Sequence, residues 1–200
     1  MDHSLLHLLN GFFARHDGVE DPFLLYSNAS QMLFAGVLVT LFVLLPGAAR
    51  HGARRIAVAA AASTGVALVV GAVLSHLVDR ARPFVTDPSG IHMFGRHAAD
   101  AGFPSDHATA SFAIATAILL RSRRWGAVAM VLATVLAVTR VAIGVHYPSD
   151  VLAGAALGSA AALALWWTPI RTRLDAVAVW AGGLLDGAVA RVRPGAAARS

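Results

Sequence analysis

Long apolar stretches separated by short polar segments dominate the chain. Five of them approach or reach the length of about 20 residues that a membrane-crossing helix needs. They are Ala29–Pro46, Ile56–Val78, Phe103–Leu120, Trp125–Val145 and Val151–Thr168. Each must be helical, because an open strand in lipid leaves its backbone groups unpaired. The pattern predicts an all-α fold, a polytopic membrane helical bundle with five clear transmembrane helices.

The two ends of the chain are amphipathic instead of uniformly apolar. Apolar residues recur at helical spacing near the start, at Leu5, Leu6, Leu9, Phe12 and Phe13. This first part suits an interfacial helix or a degenerate sixth span. Leu174–Val189 is a second amphipathic stretch, followed by an Ala/Arg/Gly/Pro tail expected to be disordered. We therefore expect an N-terminal amphipathic segment (1–28), a transmembrane core (29–170), and a cytoplasmic helix and tail (171–200).

Arginine placement orients these spans. All sixteen basic residues are arginine, and eight of them lie in three clusters: Arg50, Arg54 and Arg55; Arg121, Arg123 and Arg124; Arg171 and Arg173. Positively charged loops stay in the cytoplasm, so these three regions are predicted to be cytoplasmic. The connections 79–102 and 144–150 then face the extracytoplasmic side of the plasma membrane.

Composition agrees with a membrane protein and excludes several functions. The chain is 57% hydrophobic and 14% charged, against about 25% charged residues in soluble domains. Its net charge of +5 does not indicate nucleic-acid binding, because the arginines lie between apolar spans and form no basic face. The absence of cysteine excludes disulfides and thiolate catalysis. The expected partners are the lipid bilayer and a lipid substrate.

A histidine and a carboxylate mark the start of the last span. Pro148 suits the first turn of a helix, and Asp150 would lie in that turn, where the helix dipole favours a negative charge. Asp150 can reach back to His146, and an imidazole held by a carboxylate is an activated nucleophile. Taken alone, these residues fit an ordinary helix start beside an interfacial histidine equally well.

Three arginines near the spans' outer ends suit phosphate. Arg140 lies near the end of an apolar run, and its five donors match phosphate oxygens. A snorkelling arginine would explain Arg140 alone, but not together with His146 six residues later. Arg80 and Arg82 precede Pro83, which stops the second span, and the pair suits a clamp for a diphosphate.

The third polar segment contains Ser105, Asp106 and His107. Ser105 follows a proline and precedes an alanine-rich helix, which is a favourable N-cap position. Free N–H groups at this helix start would form an anion site, and His107 is placed to protonate a leaving oxygen. Capping alone explains Ser105 but not His107. His97 and Asp100, in the preceding connection, fit ordinary loop polarity best, and substrate contact is the second interpretation. No metal-ligand spacing is present, so neither a metal nor another cofactor is expected.

Together these residues resemble the three signature motifs of the type 2 phosphatidic acid phosphatase superfamily. The motifs are Arg82-Pro83, then Pro104-Ser105-x-His107, then Arg140 with His146 and Asp150. The resemblance covers about Ala29–Thr168. It implies a metal-independent reaction in which His146 attacks phosphorus and forms a phosphohistidine, Asp150 orients His146, and His107 protonates the leaving group. The resemblance also implies which groups stabilise the charge on the phosphate oxygens: Arg82, Arg140, Ser105 and the backbone around Asp106.

Two positions depart from the usual family pattern. Ser75 stands where the first motif has a lysine, and Arg80 is expected to supply the missing charge. Asp106 stands where the second motif has glycine, and with its neighbours it resembles the bacitracin-resistance branch. That branch implies hydrolysis of undecaprenyl diphosphate to undecaprenyl phosphate, which recycles the lipid carrier for peptidoglycan synthesis.

Two other functions remain open. A phosphatase acting on phosphatidate, phosphatidylglycerophosphate or another prenyl phosphate would use the same catalytic residues, since these contact only phosphate. A small transporter or a non-catalytic lipid-phosphate binder would also keep charges next to the membrane. The clustering of the special residues at one membrane face disfavours a transport pathway.

Overall fold

A computed structural model describes residues 2–45, 49–95 and 97–192. In this part of the chain the eight α-helices are α1 (Asp2–Phe13), α2 (Asp17–Val39), α3 (Ala49–Val78), α4 (Pro83–Thr86), α5 (Asp106–Leu119), α6 (Arg123–Ala142), α7 (Pro148–Leu165) and α8 (Thr168–Val192). A π-helical turn, Thr40–Leu44, continues α2. The described residues contain no β-strand, which confirms the all-α prediction. The tail predicted to be disordered lies, beyond Val192, outside the described residues.

Four segments of the described chain are long and apolar enough to cross a membrane: Asp21–Leu44, Ala49–Thr86, Arg123–Ala142 and Pro148–Leu165. The predicted count of five is not confirmed, because α5 has only 14 residues. Fourteen helical residues rise about 21 Å, less than the hydrocarbon thickness of about 30 Å. The predicted span Phe103–Leu120 is longer than α5, because Pro104 and Ser105 lie before the start of the helix.

The N-terminal region contains a separate short helix. The 12 residues of α1 rise about 18 Å, too little to cross a bilayer. The chain leaves helical conformation near residues 14–16, and α2 then runs without a break past residue 28. The first membrane helix therefore begins earlier than the predicted start at Ala29. Helix α1 packs instead against α6 and α7 at one end of the bundle.

Helix α5 lies at the centre of the bundle and packs against α3, α6 and α7. Most of its residues are buried, and many of them are small: Ala108, Thr109, Ser111, Ala113, Ile114, Ala115, Thr116, Ala117 and Ile118. Glycines on α7 allow the two backbones to approach closely. A Cβ atom at Gly158 would lie 2.2 Å from the carbonyl oxygen of Thr109, and one at Gly154 would lie 2.6 Å from that of Ser105.

A buried arginine joins three elements at the other end of the bundle. Arg54 of α3 is 3% exposed, and its two terminal nitrogens each lie 2.8 Å from a carboxylate oxygen of Asp186 on α8. Its Nε donates to the carbonyl oxygen of Phe42 at 3.0 Å. Gly182 leaves the room that this guanidinium occupies, since a Cβ there would lie 2.6 Å from Arg54 Nη1. The predicted amphipathic stretch Leu174–Val189 is thus part of a docked helix.

Replacement of Gly158 tests the close α5–α7 contact. We expect Gly158→Ala to destabilise the protein by about 1–3 kcal/mol, because the new methyl group forces the helices apart. Thermal unfolding in detergent measures the change.

Gly65→Ala is the matched control, since a Cβ at Gly65 of α3 would meet no atom within 4 Å. This variant should unfold at or slightly above the wild-type temperature. Equal unfolding temperatures for Gly158→Ala and wild type would contradict the packing described.

Candidate active site

The three polar segments converge at the end of the bundle where α3 and α6 end and α5 and α7 begin. They surround a cavity of about 850 Å³. The residues singled out in the sequence that lie on its wall are Arg82, His97, Asp100, Asp106, His107, Arg140 and His146. Ser105 and Asp150 are fully buried next to this wall. Arg80 is not among the lining residues.

His146 lies in the turn between α6 and α7, and its side chain is buried. Arg82 Nη1, which can only donate, lies 3.2 Å from His146 Nε2. The other ring nitrogen, Nδ1, lies 2.8 Å from the carbonyl oxygen of Gly102, which can only accept. Both contacts require the same tautomer, with the proton on Nδ1 and the free electron pair on Nε2. The nucleophilic nitrogen is therefore the one beside Arg82.

Asp150 is tied to the backbone and to an arginine. Its Oδ2 accepts a hydrogen bond from the Tyr147 backbone N–H at 2.8 Å, and its Oδ1 accepts one from Arg80 Nη1 at 2.8 Å. The predicted position in the first turn of α7 is confirmed. The predicted reach to His146 is longer than a hydrogen bond, since Oδ2 lies 3.8 Å from Nδ1. The Gly102 carbonyl holds the ring, and Asp150 lies close enough to stabilise a positive charge on it.

Arg80 does not line the cavity, although the sequence predicted that it clamps a diphosphate together with Arg82. Its guanidinium donates to Ser149 Oγ at 2.6 Å, to Asp150 Oδ1 at 2.8 Å and to Asp2 Oδ2 at 3.0 Å. It also lies 4.0 Å above the ring of Tyr147. With these partners, Arg80 is poorly placed to bind phosphate in the cavity. It does not replace the family's lysine, whose position, Ser75, is on the cavity wall.

Arg82 bridges the His146 turn and the long connection before α5. Its Nε donates to Asp100 Oδ1 at 2.8 Å, and its Nη1 donates to the Val145 carbonyl oxygen at 3.1 Å. Burial alone would raise the pKa of Asp100, but the hydrogen bond and charge of Arg82 outweigh it and hold this pKa below its usual value. Arg82 is therefore fixed beside the cavity with its Nη1 group toward His146.

Arg140 is a buried cation that has no acidic partner in the part of the chain that the structure describes. It is 5% exposed, and Nη1 donates to Ser27 Oγ at 3.1 Å. Among the described residues, no carboxylate lies within ion-pair distance of it, and its Nε has no hydrogen-bond partner. A charge buried in this way is costly unless an anion compensates it. Since Arg140 lines the cavity, it marks the wall that is suited to an anion.

The first turn of α5 completes the wall. Ser105 is its N-cap, as predicted, and its Oγ accepts from the Ala108 backbone N–H at 3.5 Å. The following N–H groups, of Asp106 and His107, belong to the helix start, where no intrahelical acceptor exists. Such a helix start favours anions, and both side chains line the cavity.

Three contributors to the site were not predicted from the sequence. Gly102 acts through its carbonyl oxygen, which no side-chain motif reveals. Gln31 of α2 lines the cavity, and the spacing of Ser27, Ser30 and Gln31 on one helix face was the signal that could have found it. Asp2 contacts Arg80 and Ser149 from the start of α1; only its position ahead of an amphipathic stretch could have drawn attention to it.

Comparison with known proteins identifies the family. Residues 56–173 match the model of the PAP2 superfamily, and this range contains all three polar segments. The chain therefore belongs to the PAP2 superfamily, the family that its motifs resemble.

Individual relatives agree with this assignment. The chain is 42% identical over 106 residues to YbjG of Escherichia coli (strain K12), an alignment that covers 52% of this chain and 52% of YbjG. It is 32% identical over 153 residues to undecaprenyl-diphosphatase BcrC of Bacillus subtilis (strain 168), covering 76% of each chain. The crystal structure of Aquifex aeolicus LpxE superposes with a TM-score of 0.63 at 22% identity, over 82% of this chain and 93% of that chain. This last similarity concerns the fold alone.

An anion should stabilise the protein through Arg140. We expect inorganic phosphate to raise the unfolding temperature, with a stabilisation of about 2.7 kcal/mol at a concentration 100-fold above Kd. Arg140→Gln should remove this response and unfold at or above the wild-type temperature without phosphate, because it removes an uncompensated charge. Thermal unfolding in detergent across a phosphate series measures both effects.

Arg123→Gln serves as the control, since Arg123 is an exposed arginine at the opposite end. It should keep the full phosphate response. A phosphate response that survives in Arg140→Gln would show that the anion binds elsewhere.

The protonation of His146 should make the fold sensitive to acid. Burial lowers the pKa of His146 from 6.5 to about 4, despite the opposing effect of Asp150. Below pH 6.5 the unfolded chain takes up a proton that the folded protein does not, so stability falls as the pH drops toward the folded pKa. His146→Gln removes this uptake, and its unfolding temperature should therefore fall less steeply than that of wild type from pH 7 to about pH 4.5. If the unfolding temperatures of wild type and His146→Gln fell equally with pH, the assignment of a buried neutral imidazole would be refuted.

Proposed function

We propose that the protein hydrolyses undecaprenyl diphosphate to undecaprenyl phosphate and inorganic phosphate through a phosphohistidine on His146. The observation that carries the proposal is a buried imidazole with an unprotonated Nε2, on the wall of a cavity that is also lined by two arginines. Arg82 lies 3.2 Å from Nε2, and Arg140 lines the same cavity without an acidic partner among the described residues. Membership of the PAP2 superfamily and the similarity to BcrC support it.

In the first step, the terminal phosphate lies between Arg82, Arg140 and the first turn of α5. Nε2 of His146 attacks phosphorus, and the bond from phosphorus to the bridging oxygen breaks. His107, which is protonated while the negatively charged phosphate lies beside it, gives its proton to that oxygen as undecaprenyl phosphate leaves. The arginines and the helix N-terminus stabilise the charge on the three transferring oxygens.

In the second step, water attacks the phosphorus of the phosphohistidine while His107 accepts a proton from that water. Inorganic phosphate leaves, and the Nε2–phosphorus bond breaks, which returns His146 to its neutral state. The ring carries positive charge while phosphorylated. The carboxylate of Asp150, 3.8 Å from Nδ1, offsets that charge, and the Gly102 carbonyl keeps the ring in place.

The shape of the cavity supports a lipid substrate. Leu68 and Ala72 of α3 line it together with the polar residues, so its wall continues from the phosphate-binding groups to an apolar helix surface. The arginine clusters of the predicted cytoplasmic regions lie at the opposite end of α3, α5 and α6. We accordingly place the active site on the extracytoplasmic face of the plasma membrane, where the product would re-enter peptidoglycan synthesis.

Purified protein in detergent should release phosphate from undecaprenyl diphosphate in the presence of a chelator. We expect His146→Ala to abolish release, because the change removes the nitrogen that forms the covalent intermediate. Wild type can be mixed with substrate that is labelled on its terminal phosphate and then quenched rapidly without acid. The label should then be found on His146. His51→Ala is the matched control, since His51 is exposed at the opposite end of α3, and it should retain full activity.

The same assay separates the alternatives. Faster turnover of phosphatidate, phosphatidylglycerophosphate or a prenyl monophosphate would favour a phosphatase of different specificity. An absence of phosphate release and of labelled protein with every lipid would favour a binder or transporter. Full activity of His146→Ala would overturn the mechanism.

A further inference from the structure

Helix α1 contributes a carboxylate to the network behind the active site. Asp2 accepts a hydrogen bond from Arg80 Nη2 at 3.0 Å and another from the Ser149 backbone N–H at 2.9 Å. The Ser149 hydroxyl donates to the same carboxylate. Asp2 therefore binds the residue before Asp150 and the arginine that binds Asp150.

Arg80 is the shared partner of two carboxylates. Its Nη1 contacts Asp150, which is completely buried, and its Nη2 contacts Asp2, which is partly buried. The face of the guanidinium lies 4.0 Å from the Tyr147 ring. Hydrogen bonds at both ends and an aromatic ring on one face leave the planar group little freedom to rotate. The direction of the Asp150 carboxylate thus depends on Arg80, and that of Arg80 depends on Asp2.

We propose that Asp2 and Arg80 are positioning residues for the reaction: Asp2 holds the Arg80 guanidinium, which holds the Asp150 carboxylate beside His146. This inference rests on the proposed function of the same site. It assigns α1 a role in the chemistry, although no residue of α1 lines the cavity.

The positioning role and a phosphate-binding role of Arg80 predict different kinetics. An arginine that binds phosphate contributes to substrate affinity, so its loss raises KM. An arginine that orients Asp150 acts on the charged His146 of the transition state, so its loss lowers kcat and leaves KM nearly unchanged. The two carboxylate contacts of Arg80 also predict that Asp2 and Arg80 act through one another.

The experiment measures kcat and KM for wild type, Asp2→Asn, Arg80→Gln and the double variant on undecaprenyl diphosphate in detergent. We expect kcat to fall about tenfold for Asp2→Asn and further for Arg80→Gln, with KM within about twofold of wild type. The double variant should be no slower than Arg80→Gln, because Asp2 has no effect once Arg80 is absent. Asp2→Glu, which restores the carboxylate, should recover much of the activity.

His7→Gln is the matched control on α1. His7 Nε2 lies 3.4 Å from Asp87 Oδ2 in a partly exposed polar contact that also joins α1 to the connection after α4. Its loss should leave kcat unchanged. A loss equal to that of Asp2→Asn would mean that any weakening of α1 docking reduces activity, and this would overturn the specific role of Asp2.

The remaining outcomes separate this inference from the proposed function. Wild type that releases no phosphate overturns the function, and the positioning role with it. An active wild type in which Arg80→Gln raises KM at unchanged kcat overturns the positioning role alone. A double variant whose kcat falls by the product of the two single-variant decreases also overturns the positioning role alone.

Discussion

The buried residue Asp150 joins the three polar segments through its side chain and its backbone. Its side chain accepts hydrogen bonds from Arg80, after α3, and from the Tyr147 backbone, before α7. Its own carbonyl oxygen accepts from the Ser105 N–H, before α5, at 3.1 Å. Loss of such a partner leaves a buried negative charge uncompensated and strongly destabilises the folded protein. The ends of α3, α5 and α7 are therefore held in one arrangement, and the cavity wall depends on it.

The three arginines around this point have unequal surroundings. Arg80 and Arg82 are each paired with acidic groups. Arg140 is more deeply buried than either, yet its one side-chain partner among the described residues is the hydroxyl of Ser27. The guanidinium of Arg140 thus has no anionic partner among the described residues, and it lines the same cavity as the imidazole of His146.

Much of the fold was predictable because apolar runs bounded by arginines mark membrane helices. This signal located α3, α6 and α7 well. It also located α5, but the prediction that α5 spans the membrane is not confirmed, because a run of apolar residues is the same whether a helix faces lipid or is enclosed by other helices. It also placed the start of the first membrane helix too late, since the polar residues before Ala29 lie within the continuous helix α2.

Within the site, features that depend on neighbouring residues were predicted from the sequence. Contacts between residues far apart in the sequence were not. The N-cap role of Ser105 and the place of Asp150 in the first turn of α7 follow from neighbouring residues, and both are confirmed. The Nδ1 partner of His146 is a backbone oxygen, which leaves no trace in a side-chain pattern. The orientation of Arg80 depends on Asp2, 78 residues earlier in the chain, and spacing along the sequence carries no information about that contact.

The shortness of α5 sets its first turn back from the far end of its neighbour. From the turn that joins the two helices, the 14 residues of α5 rise about 21 Å and the 20 residues of α6 rise about 30 Å. Asp106 and His107, in the first turn of α5, and Arg140, in the last turn of α6, nevertheless line one cavity. The difference in helix length thus accounts for a recess, instead of a flat surface, at this end of the bundle.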